Sequence, residues 1–179
     1  MTAEEEAAET VLSRPISIES AALRKVLGQF CTGVAVVTAH DGHGPHGFTC
    51  QSLTSVSLDP PYISFCPALT SSSWPRIRRS GAVCVNILAA DQHDFCARFA
   101  TRGGPKFAGV RWTRGINGAP ILDGTLASVE ADIAVEHVAG DHTIVVAHVT
   151  SLRADEHREP LLYFRGGYGV FSRELALEA

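Results

Sequence analysis

The stretch GFTCQSLTSVSLDPPYISFCP, residues 47–67, reads as two strands divided at Pro60-Pro61. Val56, Leu58, Tyr62, Ile63 and Phe65 obey the preference of strands for β-branched and aromatic residues. The first half does not: Thr49, Cys50, Gln51, Ser52, Thr54, Ser55 and Ser57 are small and polar, and no charge comes before Asp59. Two readings stand side by side, the solvated face of an antiparallel sheet and a platform for a ligand.

Working outward, the chain has 179 residues, 45% of them hydrophobic, which suits one domain burying roughly 70% of its unfolded surface. A net charge of −4 offers no field for a polyanion, so neither nucleic acid nor an anionic membrane is an expected partner. No apolar run approaches the roughly 18 residues of a membrane span, and MTAEEEAAET is acidic where a signal peptide is basic. Cys31, Cys50, Cys66, Cys84 and Cys96 are odd in number and form no CxxC pair. A soluble, cytoplasmic chain is expected.

Residues 1–16 read as a flexible leader ahead of a single domain, 17–179. SIESAALRKVLGQF spaces Leu23, Val26, Leu27 and Phe30 for an amphipathic helix behind the candidate caps Ser17 and Ser20. VAVVTA predicts a strand and HDGHGPH a turn. Pro75 fits only a first helical turn, so a helix should run from Ser71–Ser73 to Gly81, before the strand AVCVNIL, and another over 91–101. From 125 to 138 apolar residues alternate with Ser128, Glu130 and Asp132, predicting a long strand with one wet face. AGD turns it into HTIVVAHVTSL, and Pro160 opens a last strand, PLLYF. The expected class is mainly β, an antiparallel barrel with two or three peripheral helices.

Three motifs lose their force in context. Gly42-His43-Gly44-Pro45-His46-Gly47 spells a dinucleotide fingerprint, but a strand and not a helix N-terminus follows it. His40, His43 and His46 with Asp41 have ligand chemistry, yet two glycines and a proline leave them unorganised for a metal, and none is expected. TSSSW lacks the GxSxG elbow of a serine hydrolase. By contrast CPALTSSSWPRIRRSG joins a strand end and a hydroxyl-rich loop to a helix start, a combination suited to phosphate, with helix capping as the competing role of either serine.

LGQFCTGVAVVT, the 47–67 stretch, SSSWPRIRRSGAVCVNIL, KFAGV, GDHTIVVAHV and PLLYFRGGY, in that order, resemble the short-chain flavin reductase family. Its fold is the FMN-binding split barrel, an antiparallel Greek-key-like barrel, and the likeness is strongest to reductase components of two-component aromatic and secosteroid hydroxylases. The resemblance implies a homodimer binding FMN or FAD in a groove beside the barrel and taking hydride from NADH, or NADPH. It further implies delivery of diffusible reduced flavin to a separate oxygenase component. Carried over residue by residue, it gives Thr49, Cys50, Gln51 and Ser52 as flavin-ring contacts and Cys66 and Pro67 beside the ring and ribityl chain. Ser71 and Ser73 would meet the phosphate, Arg98 would help neutralise it, and His142, Arg165 and Tyr168 would lie on the nicotinamide side.

Lys106-Phe107 matches the family too but is too ordinary a pair to receive a role. The departure is ALT at 68–70, which lacks the basic residue many relatives carry there and leaves FMN or FAD open. No protein acid or base is needed when the cofactor carries the chemistry, which agrees with the missing catalytic motif. Two rivals are a non-catalytic flavin-storage or sensing module and an oxidase of the pyridoxamine-phosphate type. The latter would call for more basic residues around a substrate phosphate.

Overall fold

The structure, a computed structural model, describes residues 18–172. The expected leader and Ser17 lie outside them. The described residues fall into two compact units, one ending at Phe30 and one beginning at Cys31. In the first, helix α1 (Ser20–Leu27) has Glu19 at its N-cap with no side-chain bond, so Ser20 is the first helical residue and not the cap. The apolar stripe forms as its spacing predicts, but Leu23, Val26, Leu27 and Phe30 are all exposed.

The second unit is built on one antiparallel sheet of seven strands. They are β2 (Ala35–His40), β3 (Pro45–Cys50), β4 (Thr54–Leu58), β5 (Pro61–Phe65), β6 (Ala82–Ile87), β9 (Ala127–Ala139) and β10 (His142–Ala154), in the order β3-β2-β6-β9-β10-β5-β4. Short strands β1 (Thr32–Gly33), β11 (Leu162–Phe164) and β12 (Gly167–Gly169) form a second sheet, and β7 (Trp112–Arg114) pairs with β8 (Pro120–Leu122). Helices α2 (Trp74–Ser80) and α3 (His93–Ala100) flank β6 in sequence. Among the described residues, no helix is long and apolar enough to cross a membrane.

The large sheet rolls up on its own apolar face. Phe48 on β3, at one edge, lies 6.4 Å between ring centroids from Phe65 on β5, next to the opposite edge. Trp74 of α2 meets both rings edge-on, at 6.4 and 5.9 Å. Val37, Val85, Val145 and Ala147 complete this core from three further strands. Each large side chain so buried contributes about 1.5–3 kcal/mol.

VAVVTA is apolar but for Thr38, whose hydroxyl is bonded to the Cys84 and Pro120 carbonyls, because β2 is covered on both sides. Ala35, Val37 and Ala39 enter the barrel core, while Val34 and Val36 join Leu88, Cys96, Phe99 and Leu122 in a second cluster beneath α3.

Two expectations are corrected. Residues 47–58 are not one strand: β3 stops at Cys50, Gln51–Leu53 break the ladder, and β4 begins at Thr54. The break is held by Ser52, whose Oγ accepts the Cys66 N–H at 2.8 Å. The polar face of β9 is not wet at Ser128 and Glu130, which are buried. The 115–118 loop covers it, and the Asn117 N–H satisfies the Glu130 carboxylate at 2.9 Å. Val135 and Val138, further along, are exposed instead.

Gly47 sets the approach of α3 to β3, since a Cβ there would stand 2.8 Å from Cε1 of the buried Phe99 ring. Gly47→Ala should therefore destabilise the fold by about 1–3 kcal/mol in urea titration. In the β2–β3 turn, burial alone would raise the Asp41 pKa, but the N–H groups of His43 and Gly44 and the His46 ring hold it at about 2. A carboxyl whose pKa falls on folding lends stability that is complete above its ordinary 3.8 and is lost as pH drops toward about 2. Asp41→Asn should flatten that acid limb in pH-dependent denaturation.

Candidate functional site

Between the end of β5, the loop into α2 and the C-terminus of α3 lies a cavity of about 300 Å³. Its wall brings together Thr49, Cys66, Pro67, Ser71 and His142 from distant parts of the chain. Backbone bonds explain His142: an isolated bridge pairs it with Ala68, Thr143 N–H donates to Pro67 O at 3.0 Å, and Leu69 N–H to Asp141 O at 2.9 Å. The start of β10 is thereby stitched to the 67–69 loop. His142 Nδ1 lies 2.7 Å from Asp141 Oδ1, which leaves its Nε2 outside that pair.

Thr49 spends its hydroxyl on structure, donating to Cys96 O at 2.7 Å and so pinning α3 to β3. Cys50 turns its side chain into the barrel core, 3.3 Å from Ser52 Oγ, and burial pushes its thiol pKa up. Gln51 is exposed. Of the four expected ring contacts only Thr49 stands on the cavity wall; Cys50, Gln51 and Ser52 do not. Ser71 Oγ accepts the Trp74 N–H at 3.2 Å, closing the first turn of α2 and leaving its proton as a donor. Ser73 is the N-cap residue yet makes no side-chain cap; its Oγ accepts a hydrogen bond from Lys106 Nζ at 3.3 Å.

Lys106, given no role on sequence, is the central cation of the site. Its ammonium donates to Gly47 O at 3.2 Å, Phe99 O at 2.9 Å and Ser73 Oγ, and none of these is a carboxylate. Burial lowers its pKa. Arg102, Thr101, Thr70 and Ser72 also line the cavity, and no Asp or Glu does. A half-buried ammonium without a carboxylate, among five hydroxyl side chains and a guanidinium, is a donor set for phosphate. The only hint in the sequence was TRGGPKF, whose cations become neighbours of Ser71 through the fold alone.

The structure does not bring Arg98, Arg165 or Tyr168 to this wall. Arg98 Nη1 is turned to Ala108 O. Arg165 occupies the β11–β12 turn at φ 50°, its guanidinium 4.8 Å from the Phe164 ring centroid. Tyr168 lies at the other side of α3, its hydroxyl 3.0 Å from Cys96 Sγ and its ring 4.4 Å from that of His93. The bond to Cys96, with burial behind it, pushes the phenol pKa up to about 12.

A rolled antiparallel sheet beside a cavity with a donor set for phosphate suits a class in which a bound cofactor does the chemistry. The family model for the flavin reductase like domain matches residues 27–172, and the chain belongs to that family. It is 47% identical over 152 residues to HsaB, the reductase subunit of a flavin-dependent monooxygenase from Rhodococcus jostii, covering 85% of this chain and 78% of that one. It is 45% identical over 157 residues to SmoA, an FMN reductase (NADH) from Agrobacterium fabrum, covering 87% and 88%. The crystal structure of a nitrilotriacetate monooxygenase component B homologue from Mycobacterium thermoresistibile superposes with a TM-score of 0.85 at 40% identity, over 97% of this chain and 93% of that one.

The phosphate assignment makes a direct prediction. Lys106→Met, which keeps length and removes charge, should cost FMN about 1.5–3 kcal/mol of binding while riboflavin, lacking the phosphate, loses none. Quenching of flavin fluorescence on titration measures both.

Proposed function

We propose that this chain is an NADH-dependent flavin reductase that supplies diffusible reduced flavin to a separate oxygenase. The observation that carries it is the carboxylate-free cavity whose one end presents Thr49, Cys66 and Pro67 and whose other end presents Ser71, Arg102 and Lys106. An uncharged, flat-walled end suits an isoalloxazine and a cationic, hydroxylated end suits its phosphate. A bound flavin would supply a two-electron acceptor for the hydride of a reduced nicotinamide.

The chain's own part is to bind and orient. Thr49, Cys66 and Pro67 would border the ring, and Ser71 and Lys106 would hold the phosphate. His142, fixed by Asp141 at the cavity mouth, stands on the nicotinamide side. Arg102 and Lys106 take the neutralising role that sequence assigned to Arg98, and they replace the basic residue missing from ALT. Thr70, Ser72, Thr101 and Arg102 are exposed, so the cavity opens to water and reduced flavin has a way out.

Partners follow from the same reading. Likeness to HsaB, a monooxygenase reductase subunit, supports an oxygenase component as recipient. A homodimer is supported by exposed apolar side chains at Leu58, Val138 and Leu152, which a second copy would cover. The cytoplasm, which holds NADH, is the expected location.

Mixing purified protein with NADH or NADPH and either FMN or FAD, and following loss of reduced-nicotinamide absorbance, tests the activity. NADH with at least one flavin should turn over. Flavin binding without turnover in all four pairs would instead mark a storage or sensing module.

A further inference from the structure

Two of the cysteines meet at the break between β3 and β4. Cys50 closes β3, and Cys66 directly follows the last residue of β5. One hydroxyl joins them: Ser52 Oγ lies 3.3 Å from Cys50 Sγ and accepts the Cys66 N–H at 2.8 Å. The two thiols also interact through charge. Burial raises the Cys50 pKa, Ser52 and the Cys66 N–H favour its thiolate, and a thiolate on Cys66 would disfavour it. The other three cysteines are placed differently. Cys96 Sγ lies 3.0 Å from the Tyr168 hydroxyl, Cys84 is buried within reach of the charge of Glu130, and Cys31 is exposed ahead of β1.

Exposure gives Cys50 and Cys66 different parts. Cys66 is half-buried and lines the cavity beside Pro67, so a small oxidant entering there meets its sulfur. Cys50 is 5% exposed and turned into the barrel core, where oxidant from solvent does not reach it. Its approach is from Cys66. Gln51–Leu53, which carry Ser52 between the two cysteines, belong to no strand, so this segment can shift to bring the sulfurs together without breaking a ladder.

We propose that Cys50 and Cys66 are a redox-active dithiol that hydrogen peroxide closes to a disulfide. The inference rests on the flavin reductase reading for its oxidant, because dioxygen becomes hydrogen peroxide when it takes two electrons and two protons from reduced flavin in solution. The Cys66 sulfur attacks one peroxide oxygen: the S–O bond forms, the O–O bond breaks, and water leaves a sulfenic acid behind. The Cys50 sulfur then attacks that sulfur: the S–S bond forms, the S–O bond breaks, and the hydroxyl departs with the Cys50 proton as a second water. Two thiols have lost two electrons, and one peroxide has become two waters. A thiol reductant reverses the link. Closing it draws Cys66 off the cavity wall, so a chain whose product meets oxygen in place of a recipient loses its grip on flavin.

The test treats the full-length protein with hydrogen peroxide, blocks the remaining thiols with iodoacetamide and maps its peptides by mass spectrometry without reduction. Peptides joined through Cys50 and Cys66 are expected, absent before treatment and released by dithiothreitol. Cys50→Ala should stop at a Cys66 sulfenic acid that dimedone traps, and Cys66→Ala should leave Cys50 unoxidised. FMN affinity of the wild type, from fluorescence quenching, should fall about tenfold with the link closed, on the order of one lost contact, and return on reduction. Both thiols free after peroxide, or either joined to another cysteine, would overturn the proposal with no variant needed. An FMN affinity that the closed link leaves unchanged overturns its effect on the site. A reduced protein that binds no flavin ends the flavin reductase reading, while the peptide map still decides the pair.

Discussion

One ammonium ties this site together. Lys106 reaches from an irregular loop to the carbonyl of Gly47 on β3, the carbonyl of Phe99 near the end of α3 and the hydroxyl of Ser73 at the start of α2. Those three elements are the walls of the cavity. A lysine drawn out of water with no carboxylate pays a desolvation cost that three neutral acceptors only partly offset. An anion offsets the rest. The same contacts that hold the walls in register thus leave a positive charge waiting at their meeting point.

The close packing of β3 and α3 makes that clasp possible. Gly47 has no side chain to hold Phe99 away, and Thr49 bonds to the Cys96 carbonyl one turn earlier in the helix. Phe99 therefore seals the second core while its carbonyl is delivered to Lys106. Packing and electrostatics are one arrangement here, because the residue that fills the core also supplies a ligand for the cation. The chemistry asked of the protein is correspondingly modest: Cys50 is buried with a raised pKa, and Thr49 and Ser71 have their oxygens engaged in structure. Binding and orientation remain, which is what a cofactor enzyme needs from its chain.

Much of the fold was legible along the chain because its signals are local. Pro75 and Gly81 bracket α2 as their backbone preferences require. Gly140-Asp141 turns β9 into β10, and period-two alternation marks β9 itself. What failed also had a physical cause. Alternation at Ser128 and Glu130 reports which residues share a face, not whether a loop will cover it, and the 115–118 loop does. The polar 47–58 run hid a break, because Gln51–Leu53 are held by Cys66, fourteen residues beyond Ser52. At the site, Thr49, Cys66, Pro67, Ser71 and His142 converge on one cavity, whereas Arg98 and Tyr168 face elsewhere on α3 and β12.

By itself the sequence determined a small antiparallel β domain with helices at fixed places, a family likeness spread over its motifs, and a hydroxyl-rich loop suited to phosphate. These follow from side-chain preference, periodicity and backbone restriction, all of which act within a few residues. Only the tertiary structure decided which cations serve that loop. Arg98 and Lys106 are eight positions apart and equally charged, but the helix turns one to the Ala108 carbonyl and the loop after it carries the other 33 residues back to Ser73. Charge is written in the chain; what it faces is set by how strands and helices pack.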